Sequence, residues 1–192
     1  MKGFDYCNDM TILREGVLII EIVLLVICAI IMIIKKVRLS KLLLHLSFGL
    51  YLAIIIAVCF FPVHIGGIAQ DAANNFIPFK SIADSIRDSV STHTSCGFVS
   101  VFGNFVMLMP LGFFFHFYVK NFKGRLLGIF LFSVAIEAIQ FIIGLIIGYN
   151  YRSIDMDDVL LNTLGGIIFY SIFYFAAKKV KKGQRNVHTD NH

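Results

Sequence analysis

The chain has 192 residues, 58% of them apolar and only 15% charged, with a mean hydropathy of +0.82. An average soluble domain carries about a quarter charged residues, and a water-soluble globule this small could not bury so much apolar surface. The abundance of Ile, Leu, Val and Phe excludes disorder. Four cysteines are too sparse for a disulfide scaffold, and the net charge of +5 sits in short basic clusters beside apolar runs, a membrane pattern rather than a nucleic-acid one.

A membrane-crossing helix needs about 20 mostly apolar residues. Five segments meet that requirement: Val17–Ile34, Leu42–Phe61, Phe98–Val119, Leu126–Gly148 and Val159–Ala177. They predict an all-α, polytopic membrane helix bundle with five transmembrane helices and no soluble domain. The first run does not read as a signal peptide, because Asp5, Asp9 and Glu15 precede it and the positive cluster follows it.

The intervening charges predict an orientation. Lys35, Lys36, Arg38 and Lys41 follow the first span, Lys120, Lys123 and Arg125 separate the third from the fourth, and Lys178, Lys179, Lys181, Lys182 and Arg185 follow the fifth. With the amino terminus outside and the carboxyl terminus inside, these twelve of the seventeen basic residues face the cytoplasm, while nine of the twelve acids lie outside. The expected organisation is a two-span extension over 1–65, an extracytoplasmic segment over 66–97, a three-span core over 98–177 and a basic cytoplasmic tail over 178–192, the tail disordered and near anionic lipid.

The outer segment carries its own signals. Gly66-Gly67 and Asn74-Asn75 mark turns. Ser81 and Asp84 have the spacing of a capping box, and Ile82, Ile86 and Val90 recur at helical spacing. Together they predict a short amphipathic helix on the outer interface.

Polar residues inside spans are expensive and usually face the bundle interior. Asn104 lies roughly 9 Å below the outer end of span 3, and Gln140 and Glu137 roughly 12 and 16 Å below that of span 4, at helical rise. Glu137, Gln140 and Gly144 share one helical stripe, and Asp155, Asp158, Asn162 and Gly165 another. Gly103, Gly144, Gly148 and Gly165-Gly166 are candidates for close helix approach, and Pro110 with Gly112 predicts a kink in span 3 that frees a carbonyl. The segment Arg152–Asp158 brings three carboxylates and one Arg to the mouth of these stripes. The Arg fork could pair with those acids or hold a phosphate or carboxylate.

Glu137-x-x-Gln140, followed by Arg152-x-x-Asp155-x-x-Asp158-x-x-x-Asn162-x-x-Gly165-Gly166, resembles the signature of the VanZ-like family. Gly103-Asn104 with Pro110-x-Gly112, and Asn75-Phe76-Ile77-Pro78-Phe79 upstream, resemble further elements of that family, so the likeness covers about residues 70–177. The resemblance implies a multi-pass protein of a Gram-positive plasma membrane, associated with resistance to teicoplanin and related lipoglycopeptide antibiotics without remodelling of the peptidoglycan stem peptide. It carries over Asn104, Glu137, Gln140, Arg152, Asp155, Asp158 and Asn162 as the matching positions.

Two function classes stand foremost. A non-enzymatic factor would use Asn104, Gln140, Arg152 and Asn162 to line an outward polar pocket. That pocket would bind a membrane lipid headgroup, a lipid-linked cell-wall precursor or the drug itself. An intramembrane hydrolase or transferase would instead use Glu137 as acid or base, with Asp155 and Asp158 binding a cation or activating water. A small transporter, with Glu137 relaying protons, is a third class, weakened by the apolar inner halves of spans 3 and 4. No cofactor, resident metal or nucleic-acid partner is expected, since metal spacing, a P-loop and a nucleophile elbow are missing from the sequence. A zinc site from His64, His93 and the Asp155–Asp158 carboxylates, a Cys7–Cys96 disulfide and assembly as an oligomer stay open.

Overall fold

The computed structural model describes residues 6–61, 63 and 73–189. Its helices, in chain order, are α1 (Tyr6–Ile34), α2 (Leu39–Cys59), α3 (Lys80–Ser91), α4 (Cys96–Met107), α5 (Met109–Tyr118), α6 (Phe122–Ile147) and α7 (Met156–Thr189). Among the described residues there is no strand, and one isolated parallel bridge joins Asn75 to Asp155. Among the described residues, five segments are long and apolar enough to cross a membrane: Gly16–Ile34, Leu39–Cys59, Cys96–Tyr118, Phe122–Ile147 and Met156–Lys179. Each boundary expected from hydropathy lies within about one helical turn of the observed one. The Gly66-Gly67 turn and His64 fall outside the described residues.

The chain divides into two compact units: Met1–Ala72 with Gln140–Arg152, and Ala73–Ile139 with Ser153–His192. In the first, α1 and α2 form a helical hairpin. Lys36 takes a left-handed φ of 53°, with the N–H of Lys36 bonding to the carbonyl of Ile33 at 2.9 Å and that of Val37 to Met32 at 3.0 Å. This double closure satisfies two carbonyls that the end of α1 would otherwise leave unpaired. From Gly16 onward α1 exposes most of its Ile, Leu and Val side chains, as a rod facing hydrocarbon does, whereas α2 buries Tyr51, Ala53, Ile55, Ala57 and Cys59. Gly148, at a φ of 84°, ends α6, its N–H and that of Tyr149 both closing on the carbonyl of Gly144. Gly144 and Gly148 therefore form a helix terminator rather than the helix-contact motif expected of them.

In the second unit α7 packs against α4 and α5, and α3 packs against α4 and, more lightly, α7. Span 3 breaks at Leu108 (φ −96°, ψ 5°) into α4 and α5, with Pro110 in the first turn of α5. Proline has no N–H to continue the ladder. The carbonyl that this leaves open at Val106 accepts the N–H of Leu108 instead. The break sets backbone against backbone. A Cβ at Gly165 would overlap the carbonyl of Phe105, and one at Gly112 would press on the carbonyl of Gly166. Gly103, by contrast, looks onto open space and has no part in the approach expected of it.

Around this crossing lie Leu108, Leu111, Phe114, Ile129, Ile136 and Tyr170, all buried. Arg125 closes the far end. It donates to the carbonyls of Val119 at 2.6 Å and His116 at 3.2 Å, and to the Tyr170 hydroxyl at 2.8 Å. A cation at the carbonyl end of α5 complements that helix's dipole. α7 continues as helix to Thr189, about ten residues beyond the span at Lys179. The Lys, Gln and Arg of the tail are good helix formers and extend a helix already nucleated, so the expected disordered tail is helical as far as Thr189.

Candidate functional site

The site is built from three chain segments of the second unit that converge where α7 begins. Asp155 immediately precedes α7, and its Oδ1 accepts the N–H of Asp157 at 2.9 Å, so it serves as the helix's N-cap. The same oxygen accepts Nδ2 of Asn75 at 3.0 Å. The N–H of Asp155 donates to Oε2 of Glu137, on α6, at 3.1 Å. The two polar stripes read from the sequence therefore meet at Glu137 and Asp155.

Asn75 organises the second segment. Its Nδ2 also lies 2.9 Å from Oγ of Ser81, and its Oδ1 accepts the N–H of Ile77 at 3.1 Å, folding the Asn-Phe-Ile-Pro-Phe run into a turn. Main-chain bonds from Asn75 N to Ile154 O (2.9 Å) and from Met156 N to Asn75 O (3.0 Å) pin this loop to the segment before α7. The hydroxyl of Ser153 donates to the carbonyl of Ala73.

Asp157, 1% exposed, holds the third junction. Its two carboxylate oxygens accept the N–H of Phe79 at 2.5 Å and that of Ile82 at 3.2 Å. Phe79 is the N-cap position of α3 and has a left-handed φ of 66°. The expected capping box from Ser81 and Asp84 does not form: no side-chain bond within α3 caps its start, and Asp84 pairs instead with exposed Arg87 at 3.4 Å. One carboxylate from a distant part of the chain does the work of both box residues.

These segments enclose a cavity of about 220 Å³ lined by residues that include Ser81 and Ser85 of α3, Ser100 and Asn104 of α4, and Asp155 and Asp158 beside them. Asn104 donates through Nδ2 to Asp158 Oδ1. Pockets for drug-sized ligands usually run from about 300 Å³ upwards, so this one suits a headgroup-sized moiety. Its surface is rich in acceptors. The amino-terminal ends of α3 and α7 both point into the cluster, and their positive dipole ends offset part of the carboxylate charge.

The remaining expected residues lie elsewhere. Asn162, 1% exposed, is one turn deeper in α7, and neither its Oδ1 nor its Nδ2 has a partner. Gln140 and Arg152 belong to the first unit. Gln140 donates through Nε2 to the carbonyl of Cys59 at 2.8 Å. Arg152 donates through one nitrogen to the carbonyls of Val58 (2.9 Å) and Phe61 (3.0 Å), capping the carboxyl end of α2. Burial pushes the Tyr151 phenol above its usual range, against the pull of the Arg152 guanidinium. Cys96 carries a free thiol. Among the described residues, no group of three or more His, Cys, Asp or Glu could hold a metal ion.

Sequence reasoning missed Asn75 and Asp157 as site residues. Asn75 belongs to the Asn-Phe-Ile-Pro-Phe motif, which carries no role by itself, and Asp157, one of the three carboxylates of the 152–158 segment, is off the Asp155–Asp158–Asn162 stripe. Ser133 was missed too; fully buried on α6, it donates to the carbonyl of Val159 at 3.3 Å.

A family model described as VanZ/LLP1 matches residues 48–177. The match begins inside α2, so it includes the carbonyls that Gln140 and Arg152 engage as well as the cavity. No curated protein and no solved structure matches the chain.

Proposed function

This chain belongs to the VanZ/LLP1 family of membrane proteins, and on that premise we propose that its cavity binds the polar headgroup of an outer-leaflet lipid or of a lipid-linked cell-wall precursor. By doing so it contributes to resistance to teicoplanin and lipoglycopeptide antibiotics in the plasma membrane of a Gram-positive cell.

The observation that carries this reading is the cavity itself: about 220 Å³, lined by hydroxyls, an amide and carboxylates beside the aliphatic side chains of Ile82, Val101 and Leu161, at the start of two membrane-crossing helices. Its size favours a headgroup over a whole drug molecule. Its acceptor-rich lining favours hydroxyl, amide or ammonium donors over a bare phosphate. The basic residues at Lys120, Lys123 and Arg125, at the opposite ends of α5 and α6, support an orientation with the cavity outside.

The test is expression in a sensitive Gram-positive host, with teicoplanin and vancomycin susceptibility compared at matched protein levels. The unaltered protein protects against teicoplanin, while Glu137→Gln and the cavity-filling Ser100→Leu lose protection. Full protection by both variants would overturn the reading.

A further inference from the structure

The helix α3 is divided into three sectors, and the division is the reverse of what water would select. Ser81, Ser85 and Ser89 are spaced four apart and face the protein. Ser81 and Ser85 line the cavity, and Ser89 is buried, its Oγ accepting the N–H of Gly97 at 2.9 Å. At Gly97 a Cβ would strike the carbonyl of Ser85, so the serine face lies flush against α4.

Ile82 joins the cavity lining, and the other large apolar residues point away. Phe79 is 66% exposed and Val90 62%, with exposed Ile86 between them on the same helical stripe. Phe76 (68%) and Ile77 (61%), in the turn just before the helix, extend this surface. Lys80, Asp84, Arg87 and Asp88 occupy the third sector. A helix bathed in water on its free sides would turn Phe79, Ile86 and Val90 inward and its serines outward. A helix at the edge of a membrane bundle, with lipid below and headgroups above, shows this three-way split.

Two attachments fix α3 at that level. Its first turn is bonded to Asp157 in the first turn of α7, and its last residue lies only a few positions before α4 begins. Both α4 and α7 start membrane-crossing segments. The left-handed conformation of Phe79 is unfavourable for a bulky residue, and the Asp157 carboxylate holds it in place.

We propose that Phe76, Ile77, Phe79, Ile86 and Val90 form a wedge inserted into the acyl boundary of the bilayer, with the charged sector of α3 at the headgroups. The partner of this surface is the lipid of the membrane the protein spans. Because α3 also walls the cavity, the wedge fixes the cavity's depth at the headgroup layer. The wedge stands on the sectors of α3 and the turn before it, whatever the cavity binds.

The chain contains no tryptophan, so a single introduced one reports its own surroundings. Phe79→Trp, Val90→Trp and the charged-sector control Asp88→Trp are reconstituted as full-length protein in phosphatidylcholine–phosphatidylglycerol vesicles with brominated acyl chains. All three positions are exposed, and melting in detergent identifies variants folded like the parent; Phe76→Trp replaces Phe79→Trp if the left-handed site does not accept the larger ring. The wedge predicts blue-shifted emission and strong bromine quenching at positions 79 and 90, well beyond that at 88. Water-like emission at positions 79 and 90, quenched no more than at 88, would overturn it.

Discussion

The carboxylate of Asp157, in the first turn of α7, accepts the N–H of Phe79 at 2.5 Å across 78 positions of sequence. With the second bond, from Ile82, it caps α3 from outside that helix. Hydrogen bonds to a charged group contribute roughly 1.5–3 kcal/mol each. Asp157→Ala is therefore expected to lower stability in detergent by about 3 kcal/mol, and Asp157→Asn by less, since an amide oxygen can still accept. Amide hydrogen exchange at Phe79 and Ile82 checks the mechanism: it accelerates in both variants while exchange in α1 does not change.

Arg152 makes its bonds to the carbonyl of Val58 in the last turn of α2 and to that of Phe61 just beyond the helix. One donor nitrogen serves both, a task that a lysine ammonium can also perform. Arg152→Lys is expected to keep nearly parental stability, whereas Arg152→Ala loses about 2 kcal/mol. Unfolding in detergent measures both. An Arg152→Lys protein that melts like the parent yet loses protection would assign the guanidinium fork to a ligand instead.

The glycines of the core separate by what surrounds them. Gly165→Ala places a methyl against the Phe105 carbonyl and is expected to cost about 1–3 kcal/mol as overpacking. Gly103→Ala meets open space and is expected to be neutral or stabilising by up to about 1 kcal/mol, the helix-propensity gain of Ala over Gly. Paired thermal melts distinguish the two.

Asn162 is buried with both polar atoms unpaired. An unpaired buried amide costs roughly 1–3 kcal/mol, and Leu is close to Asn in size. Asn162→Leu is expected to raise the melting temperature and, if the amide is retained for function, to reduce teicoplanin protection. A stabilised variant with full protection would leave Asn162 without a functional part.

The spans were legible in the sequence because hydropathy over twenty residues is a sum that no single neighbour can overturn. The meeting of Glu137 with Asp155 was legible for a related reason: two stripes with polar residues in apolar helices have few places to go other than toward each other. The caps were not. Ser81 and Asp84 satisfy the local pattern of a capping box, but the carboxylate that wins comes from Asp157, which is adjacent only after folding. Arg152 and Gly144–Gly148 show the same limit. The Arg was grouped with acids that follow it in the chain, yet it bonds to carbonyls more than ninety positions earlier. Gly148 was read as a packing surface, yet its left-handed φ makes it a terminator.

The central claim is that the cavity walled by Ser85 and Ser100 opens to the outside of the cell. Single cysteines at Ser85 and Ser100, in protein whose Cys7, Cys28, Cys59 and Cys96 are replaced, can be treated with a membrane-impermeant maleimide on intact cells, with a cysteine at Lys123 as the reference for the other side. Labelling at 85 and 100 without permeabilisation, and at 123 only after it, is the predicted result. Labelling at 123 from outside, with 85 and 100 reached only once the membrane is opened, would contradict the account.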